Sequence, residues 1–425
     1  MNLEQASRLE SKTLLSTYER YPVLLRSGRG VYVYDDRGRR YLDLLSGIGV
    51  NALGHAHPAL VRTLTAQAKR LVHTSNLFYH DYQGRLAAVL AKISGLDRVF
   101  FSNSGTEAWE AALKVARAYA QANRQNGRPV RFRFLALEHA FHGRTFGSLA
   151  TTHKEKYREP FEPGVPGARF VKFNDVQDLE RQFDDTVCAI GFEFVQGEGG
   201  IRPVSREFAE AAQRLARKHN ALLIADEIQS GLGRTGRWFA YQHYGIQPDL
   251  VTVAKPLAGG LPLGALLASE KASQCIHPGM HGSTFGGGPL ACAVALQLLE
   301  VMTRQKLLQQ VRQVGGYLTE QLKALQEEHG QIREVRGLGL MLGLEMESAD
   351  LAKTVVQRML ERGVLLNRTD ETVVRFLPPF ILAKRHVDVA VRELGRVLAR
   401  TKESDQEKGA ARETSLAGGR SRSRR

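Results

Sequence analysis

ALLIADEIQSG, residues 221–231, is an apolar run that ends on an acid and is followed by polar and turn-forming residues. In the preceding segment, 206–219, Phe208, Ala212, Leu215 and Ala216 fall on one face of a helix. Working outward, short β-branched or aromatic runs recur at 99–101, 130–135, 169–173, 187–195, 250–253 and 264–268, several separated by amphipathic helices. This βαβ rhythm predicts an α/β fold built on a mostly parallel sheet covered by helices on both sides. After about residue 290 the rhythm changes. Helical patterns at 289–302 and 306–328 lead into a strand at 337–346, a helix at 350–361 and strands at 363–367 and 373–377. A last helix then puts Val387, Val391, Leu394 and Leu398 on one stripe. That is a smaller α+β domain. The first 55 residues read as an arm plus a small β unit, GVYVYDDRGRRYLDLLS, turning at Asp36-Arg37-Gly38. We expect residues 1–55 to join the small domain, 56–290 to form the large one and 291–400 the rest of the small one.

The composition sets limits on function. The 425 residues are 43% hydrophobic and 24% charged, which excludes collagen, a coiled-coil rod and a largely disordered chain. The net charge of +15 raises the question of nucleic acid. Residues 401–425 hold seven basic and four acidic residues, no aromatic and one leucine, and are expected to be a disordered basic tail. The remaining excess is spread thinly, with no RNP-like or zinc-finger motif. Steering of acidic metabolites explains it better than nucleic acid does. No apolar run reaches the roughly 18 residues of a membrane span, and the first residues lack the pattern of a signal or transit peptide. The three cysteines, Cys188, Cys275 and Cys292, form no CxxC pair or disulfide framework, so a reducing cytoplasm is expected. His55/His57 and His139/His142 lack the cysteine or carboxylate partners of a metal set, and no metal is expected.

Three places carry chemistry. FFSNSGTEAWEAALKVARAY (100–119) is a strand, a tight turn and a helix, with Ser104 and Glu107 at capping-box spacing. A helix opening on Ser-Gly-Thr presents free N–H groups to a phosphate, although an ordinary capped helix looks the same. Asp226 stands at the C-terminal end of its strand, the edge where parallel sheets keep ligands, with Gln229 three residues on. A carboxylate there can hold a cation or a protonated ring nitrogen. GLGRTG (231–236) matches a dinucleotide fingerprint, but its glycines come too late after the strand and the acidic second strand is missing. Lys255, in LVTVAKPLAGGLPLGALLA (250–268), ends another apolar strand 29 residues after Asp226. A lysine at a buried strand mouth is costly unless paired or used, which makes it a candidate Schiff-base lysine.

NSGTEA (103–108), FHGRT (141–145), QGEGG (196–200), DEIQSGLGRTG (226–236), AKPLAGGLPLGA (254–265) and GSTFGGGPLAC (282–292) occur in an order that resembles the class III, pyridoxal-phosphate-dependent aminotransferases. The arm TYERYPV (17–23), GIGVNALGHAHP (47–58) and VRGLGLMLGLE (335–345) are similar too, and the acetylornithine branch resembles the chain most. The likeness spans about residues 15–400 and implies the fold-type I architecture of that family.

The resemblance also implies roles. Lys255 would form the Schiff base with pyridoxal 5'-phosphate, and Asp226 would pair with its pyridine nitrogen. Gln229 would reach the phenolic oxygen, Phe141 would stack on the ring, and Gly105 and Thr106 would hold the phosphate. Thr284 would reach the phosphate bound in a neighbouring subunit of a homodimer. Glu193 and His142 would stand behind these groups. Arg144 and Ser283 would contact an acylated ornithine, Arg144 at the α-carboxylate. Arg375 would bind the α-carboxylate of glutamate or 2-oxoglutarate, and Glu198 would gate it. The chain departs from the family at Phe194, where proline is usual, and at Trp109, where asparagine is common. Where the ornithine branch carries a tyrosine, this chain reads Ser46-Gly47-Ile48-Gly49-Val50, which favours an acylated donor. The implied reaction moves the terminal amine of N-acetylornithine to 2-oxoglutarate. Ornithine, succinylornithine, 4-aminobutyrate and carrier-bound lysine are the alternative donors.

Overall fold

Seven strands make the central sheet: β1 (Arg98–Ser102), β2 (Arg133–Leu137), β3 (Ala168–Val171), β4 (Val187–Phe192), β5 (Leu222–Asp226), β6 (Leu250–Val253) and β7 (Gly264–Ala268). Their order is β1-β7-β6-β5-β4-β2-β3. Every adjacent pair from β6 across to β3 is parallel, and only β7 runs against its neighbours. The computed structural model describes residues 1–401 apart from 125, 126 and 128, so all of the expected basic tail but its first residue lies outside the described residues.

Every residue of β4, β5, β6 and β7 is buried, as a parallel sheet covered on both faces requires. Alternate residues serve opposite cores. Leu222 and Ile224 pack with Trp109, Ala112 and Leu266, whereas Leu223 and Ala225 pack with Ile190, Phe192 and Val251. Helix α1 (Gly105–Ala122) covers the first face and is capped by the Ser104 side chain, which accepts from Glu107 N. The reciprocal half of the expected capping box is displaced by one residue. The Glu107 carboxylate accepts from Asn103 N at 2.5 Å instead of from the cap itself. Helix α2 (Arg206–Lys218) buries Phe208, Ala212, Leu215 and Ala216 as its spacing predicts.

The C-terminal third follows the predicted sequence of elements with two corrections, and the large sheet needs a third. The run at 337–346 is not one strand. Ile332–Leu338 and Met341–Met346 pair antiparallel, and Gly339, at φ 58°, turns the chain between them. The run at 363–367 splits between two sheets. Val364–Leu365 pairs in parallel with Arg40–Asp43 of the N-terminal β unit, and Asn367–Thr369 pairs with Val373–Phe376. The run at 187–195 also breaks, because Val195–Gln196 leaves the large sheet to pair with Arg202–Pro203. That break carries Glu193 and Glu198 past the C-terminal edge of β4. Helices Pro289–Arg304, Leu307–Glu328 and Ala349–Glu361 lie close to their predicted places, and 384–401 is helical.

Candidate active site

The parallel register lines up the reactive ends. Asp226 pairs with Thr252, so Lys255, three residues beyond Thr252, emerges past the same sheet edge. Asp226 is 2% exposed. Its Oδ2 lies 2.6 Å from His142 Nδ1, and its Oδ1 accepts from Ile228 N at 3.1 Å and Thr252 Oγ1 at 3.4 Å. Lys255 opens a short turn, Lys255–Ala258, directly after β6. Among the described residues no carboxylate pairs directly with its amine. Burial holds the Lys255 ammonium below the usual lysine range, against the opposing pull of Glu198 and Asp226. A buried, unpaired amine of lowered basicity is the form that attacks a carbonyl.

Glu193 is buried beside them, with one carboxyl oxygen accepting from Phe141 N at 3.1 Å and the other from Gly197 N at 2.9 Å. Burial, with the Asp226 charge added, raises its carboxyl above the usual range. These contacts fix the backbone of Phe141 and of the QGEGG turn. Gly197 must be glycine at this distance, because a Cβ there would fall 2.5 Å from the Gln229 amide.

Arg375, 1% exposed, enters from strand Val373–Phe376. Its Nη1 donates to Glu198 Oε1 at 2.5 Å and to Gln229 Oε1 at 3.3 Å, and its Nε donates to Asn367 Oδ1 at 3.2 Å. Burial works to raise the Glu198 carboxyl, but the charge and hydrogen bond of Arg375 hold it below the usual glutamate range. The expected gate pair is therefore closed in this structure.

At the start of α1, Thr106 Oγ1 meets Thr145 Oγ1 at 2.9 Å and Ser148 Oγ at 2.8 Å. Glu110 accepts from Thr145 Oγ1 at 2.6 Å and from Gly147 N at 2.8 Å. Thr145, Ser148 and Glu110 escaped the sequence reading, although Thr145 ends the quoted FHGRT. Gly143, at φ 132°, passes so close that a Cβ would collide with the Thr106 hydroxyl. The result is a cradle of free N–H groups and hydroxyls at a helix start, suited to a phosphate.

Phe141 is half-buried, and the exposed Arg144 sits 5.6 Å from its ring centroid and 3.6 Å from that of Tyr157. No carboxylate pairs with Arg144 among the described residues, so its charge is free for a ligand. Ser283 and Thr284 lie elsewhere. Ser283 Oγ accepts from Asn103 Nδ2 at 3.2 Å and Gly286 N at 3.0 Å, which ties its loop to NSGTEA. Thr284 is exposed and makes no hydrogen bond among the described residues. Tyr21 of the N-terminal arm is a further neighbour missed by the reading. Burial raises its phenol, against the charges of Arg368 and Arg375 nearby.

The donor set fits pyridoxal phosphate. It offers an amine, a strand-end carboxylate, an amide, an aromatic face and a phosphate cradle in one cluster.

Comparison with known proteins agrees with this geometry. The family described as class-III aminotransferase matches residues 15–398. Acetylornithine aminotransferase of Methanocaldococcus jannaschii is 45% identical over 406 residues, covering 95% of this chain and 100% of its own. That of Aquifex aeolicus is 45% identical over 386 residues, covering 91% and 99%. Among solved structures, ornithine aminotransferase of Toxoplasma gondii superposes with a TM-score of 0.90 at 32% identity, covering 95% of this chain and 96% of the other. Acetylornithine aminotransferase of Elizabethkingia anophelis gives 0.83 at 31%, covering 94% and 100%. A further structure of the Toxoplasma enzyme has PLP at partial occupancy in its active site.

Proposed function

The chain belongs to the class III aminotransferases, and on that premise we propose that it moves the terminal amine of N-acetylornithine to 2-oxoglutarate, a step of arginine biosynthesis. The products are N-acetylglutamate semialdehyde and glutamate. The Glu198–Arg375 pair beside Lys255 carries the reading. An α-amino acid needs a free arginine near the reacting carbon, whereas an ω-amine donor needs that arginine silenced. Glu198 silences Arg375 while the free Arg144 takes the distant α-carboxylate. Moving Glu198 aside then opens Arg375 to 2-oxoglutarate.

Pyridoxal 5'-phosphate, when bound, supplies an electron sink that makes the amine-bearing carbon acidic. Lys255 would hold the cofactor, and its amine, once displaced from it by the incoming donor amine, would carry the proton away from that carbon. Asp226 would keep the pyridine nitrogen protonated. Gln229 would meet the phenolic oxygen, Phe141 would cover the ring, and Gly105 and Thr106 would hold the phosphate.

Two observations favour an acylated donor in a shared site. Gly49 of the Ser46–Gly49 turn lies against Lys255, its Cβ position 3.9 Å from Lys255 Cδ, so the turn presents no polar side chain there for a free α-amine. Leu77, Phe78, Tyr79 and Phe285 are 86, 66, 106 and 65% exposed around the Thr284 loop. Asn76 joins the two segments by donating to Ser283 O and Gly286 O, each at 3.1 Å. An apolar patch of this kind supports a homodimer in which Thr284 and Ser283 serve the partner's site. The large domain then spans 56–290, with 1–55 and 291–400 forming the small one. The compartment is the cytoplasm, consistent with three free cysteines. The test is a donor panel of N-acetylornithine, N-succinylornithine, ornithine and 4-aminobutyrate with 2-oxoglutarate, scored by glutamate. N-acetylornithine should give the highest kcat/KM, and a higher value for 4-aminobutyrate or ornithine would refute the reading.

A further inference from the structure

Trp109 belongs to none of the groups assigned above. Its indole nevertheless lies flat on His142, with ring centroids 3.7 Å apart and planes inclined by 5°. The indole cannot slide. Its Nε1 donates to Thr151 Oγ1 at 2.9 Å, and Gly191 of β4 is so close that a Cβ there would lie 2.6 Å from Trp109 Cη2. His142 is equally enclosed, its side chain 0% exposed. Its backbone N donates to Thr152 Oγ1 at 2.9 Å, which fixes where the ring starts. Among the described residues the ring itself has one polar partner, Asp226 Oδ2, at 2.6 Å from Nδ1. Its Nε2 is buried and has no hydrogen-bond partner among the described residues.

A ring held by a single hydrogen bond is free to swing about it. Nothing polar at Nε2 stops that swing, so the flat indole must. The carboxylate at the other end inherits the ring's freedom or its order. With Oδ2 taken by His142 and Oδ1 steadied by Ile228 N, the Asp226 carboxylate has one orientation toward the sheet edge. We propose that Trp109 is a positioning residue that, by clamping the His142 ring, sets the Asp226 carboxylate for the cofactor's pyridine nitrogen. This rests on the assignment of Asp226 to that nitrogen.

The test compares two ligands of the apoprotein, pyridoxal phosphate and its carbocyclic analogue with CH in place of the ring nitrogen. The ratio of their dissociation constants reads the contact at that nitrogen alone. Trp109→Leu keeps apolar bulk without a flat face, and Trp109→Phe restores a face. The ratio of the analogue's constant to that of pyridoxal phosphate should fall by about tenfold in Trp109→Leu, the lower end of what removing a partner behind a metal ligand costs. Trp109→Phe should keep it near the native value. If Trp109→Leu does not fold, Gly191→Ala, which pushes the indole from behind, takes its place with the same expectation. A role in packing alone would weaken both ligands equally and leave the ratio unchanged, which overturns the clamp. A native chain that binds both ligands alike would instead overturn the Asp226 assignment, and the clamp with it.

Discussion

Lys255 combines two demands that oppose each other at a single residue. It must be a nucleophile near neutral pH, yet Glu198 and Asp226 stabilise its charged form. Burial outweighs them and lowers its pKa, so the uncharged fraction grows at a lower pH than for a free lysine. Capture of pyridoxal phosphate by the apoprotein should therefore rise with pH through a midpoint below the ordinary value of about 10.4. Stopped-flow absorbance across the pH range reads this directly, and a midpoint at or above the ordinary value contradicts it. Lys255→Ala should lose the visible absorption of a lysine-linked cofactor, and turnover should drop by about a thousandfold, a typical worth of a positioned proton carrier. Glu198 makes a second prediction. Its pair with Arg375 need shift only a few kcal/mol to switch substrates, within reach of a partly buried charge pair. Glu198→Ala should slow the half-reaction with N-acetylornithine at least about tenfold more than that with glutamate. Single-turnover absorbance times each half separately. Equal slowing of both would make Glu198 structural.

The elements explain why some of these residues were legible in the sequence and others were not. Asp226 and Lys255 each end an apolar strand, and a parallel sheet gathers such ends on one edge, so their meeting follows from local pattern. The Glu198–Arg375 pair spans 177 residues and depends on Val195–Gln196 leaving the large sheet. No spacing rule announces that, and only the family resemblance pointed to it. The stacking of Trp109 on His142 was equally hidden, because Trp109 reads as one more apolar position on α1. The misread strand at 337–346 turns at Gly339, whose positive φ ends one strand and starts the next inside what periodicity alone presents as a continuous run. The run at 363–367 divides at Leu366, where the chain passes from one sheet to another. The phosphate cradle depends on the positive φ of Gly143. Gly143→Ala would strain the backbone and displace the Thr106 hydroxyl. It should weaken pyridoxal phosphate binding to the apoprotein about tenfold, the order expected for 1–2 kcal/mol. An unchanged dissociation constant would show that Thr106 does not hold the phosphate.

For the whole molecule, a single chain gathers Lys255, Asp226, Gln229, Glu193, Glu198 and Arg375 but leaves Thr284 facing outward on an apolar surface. If Thr284 completes the partner's site, Lys255→Ala and Thr284→Ala chains should complement each other. Verified mixed dimers would then hold one intact site and regain up to about half of native activity per dimer. No recovery would place Thr284 in its own subunit's site. In the proposed reaction nitrogen leaves from the terminal amine of an acylated donor. N-acetylornithine carrying 15N only at that amine, incubated with 2-oxoglutarate and the holoenzyme, tests it most directly. The label should appear in glutamate in step with the semialdehyde formed, and glutamate without label, or none at all, would contradict transfer from that amine.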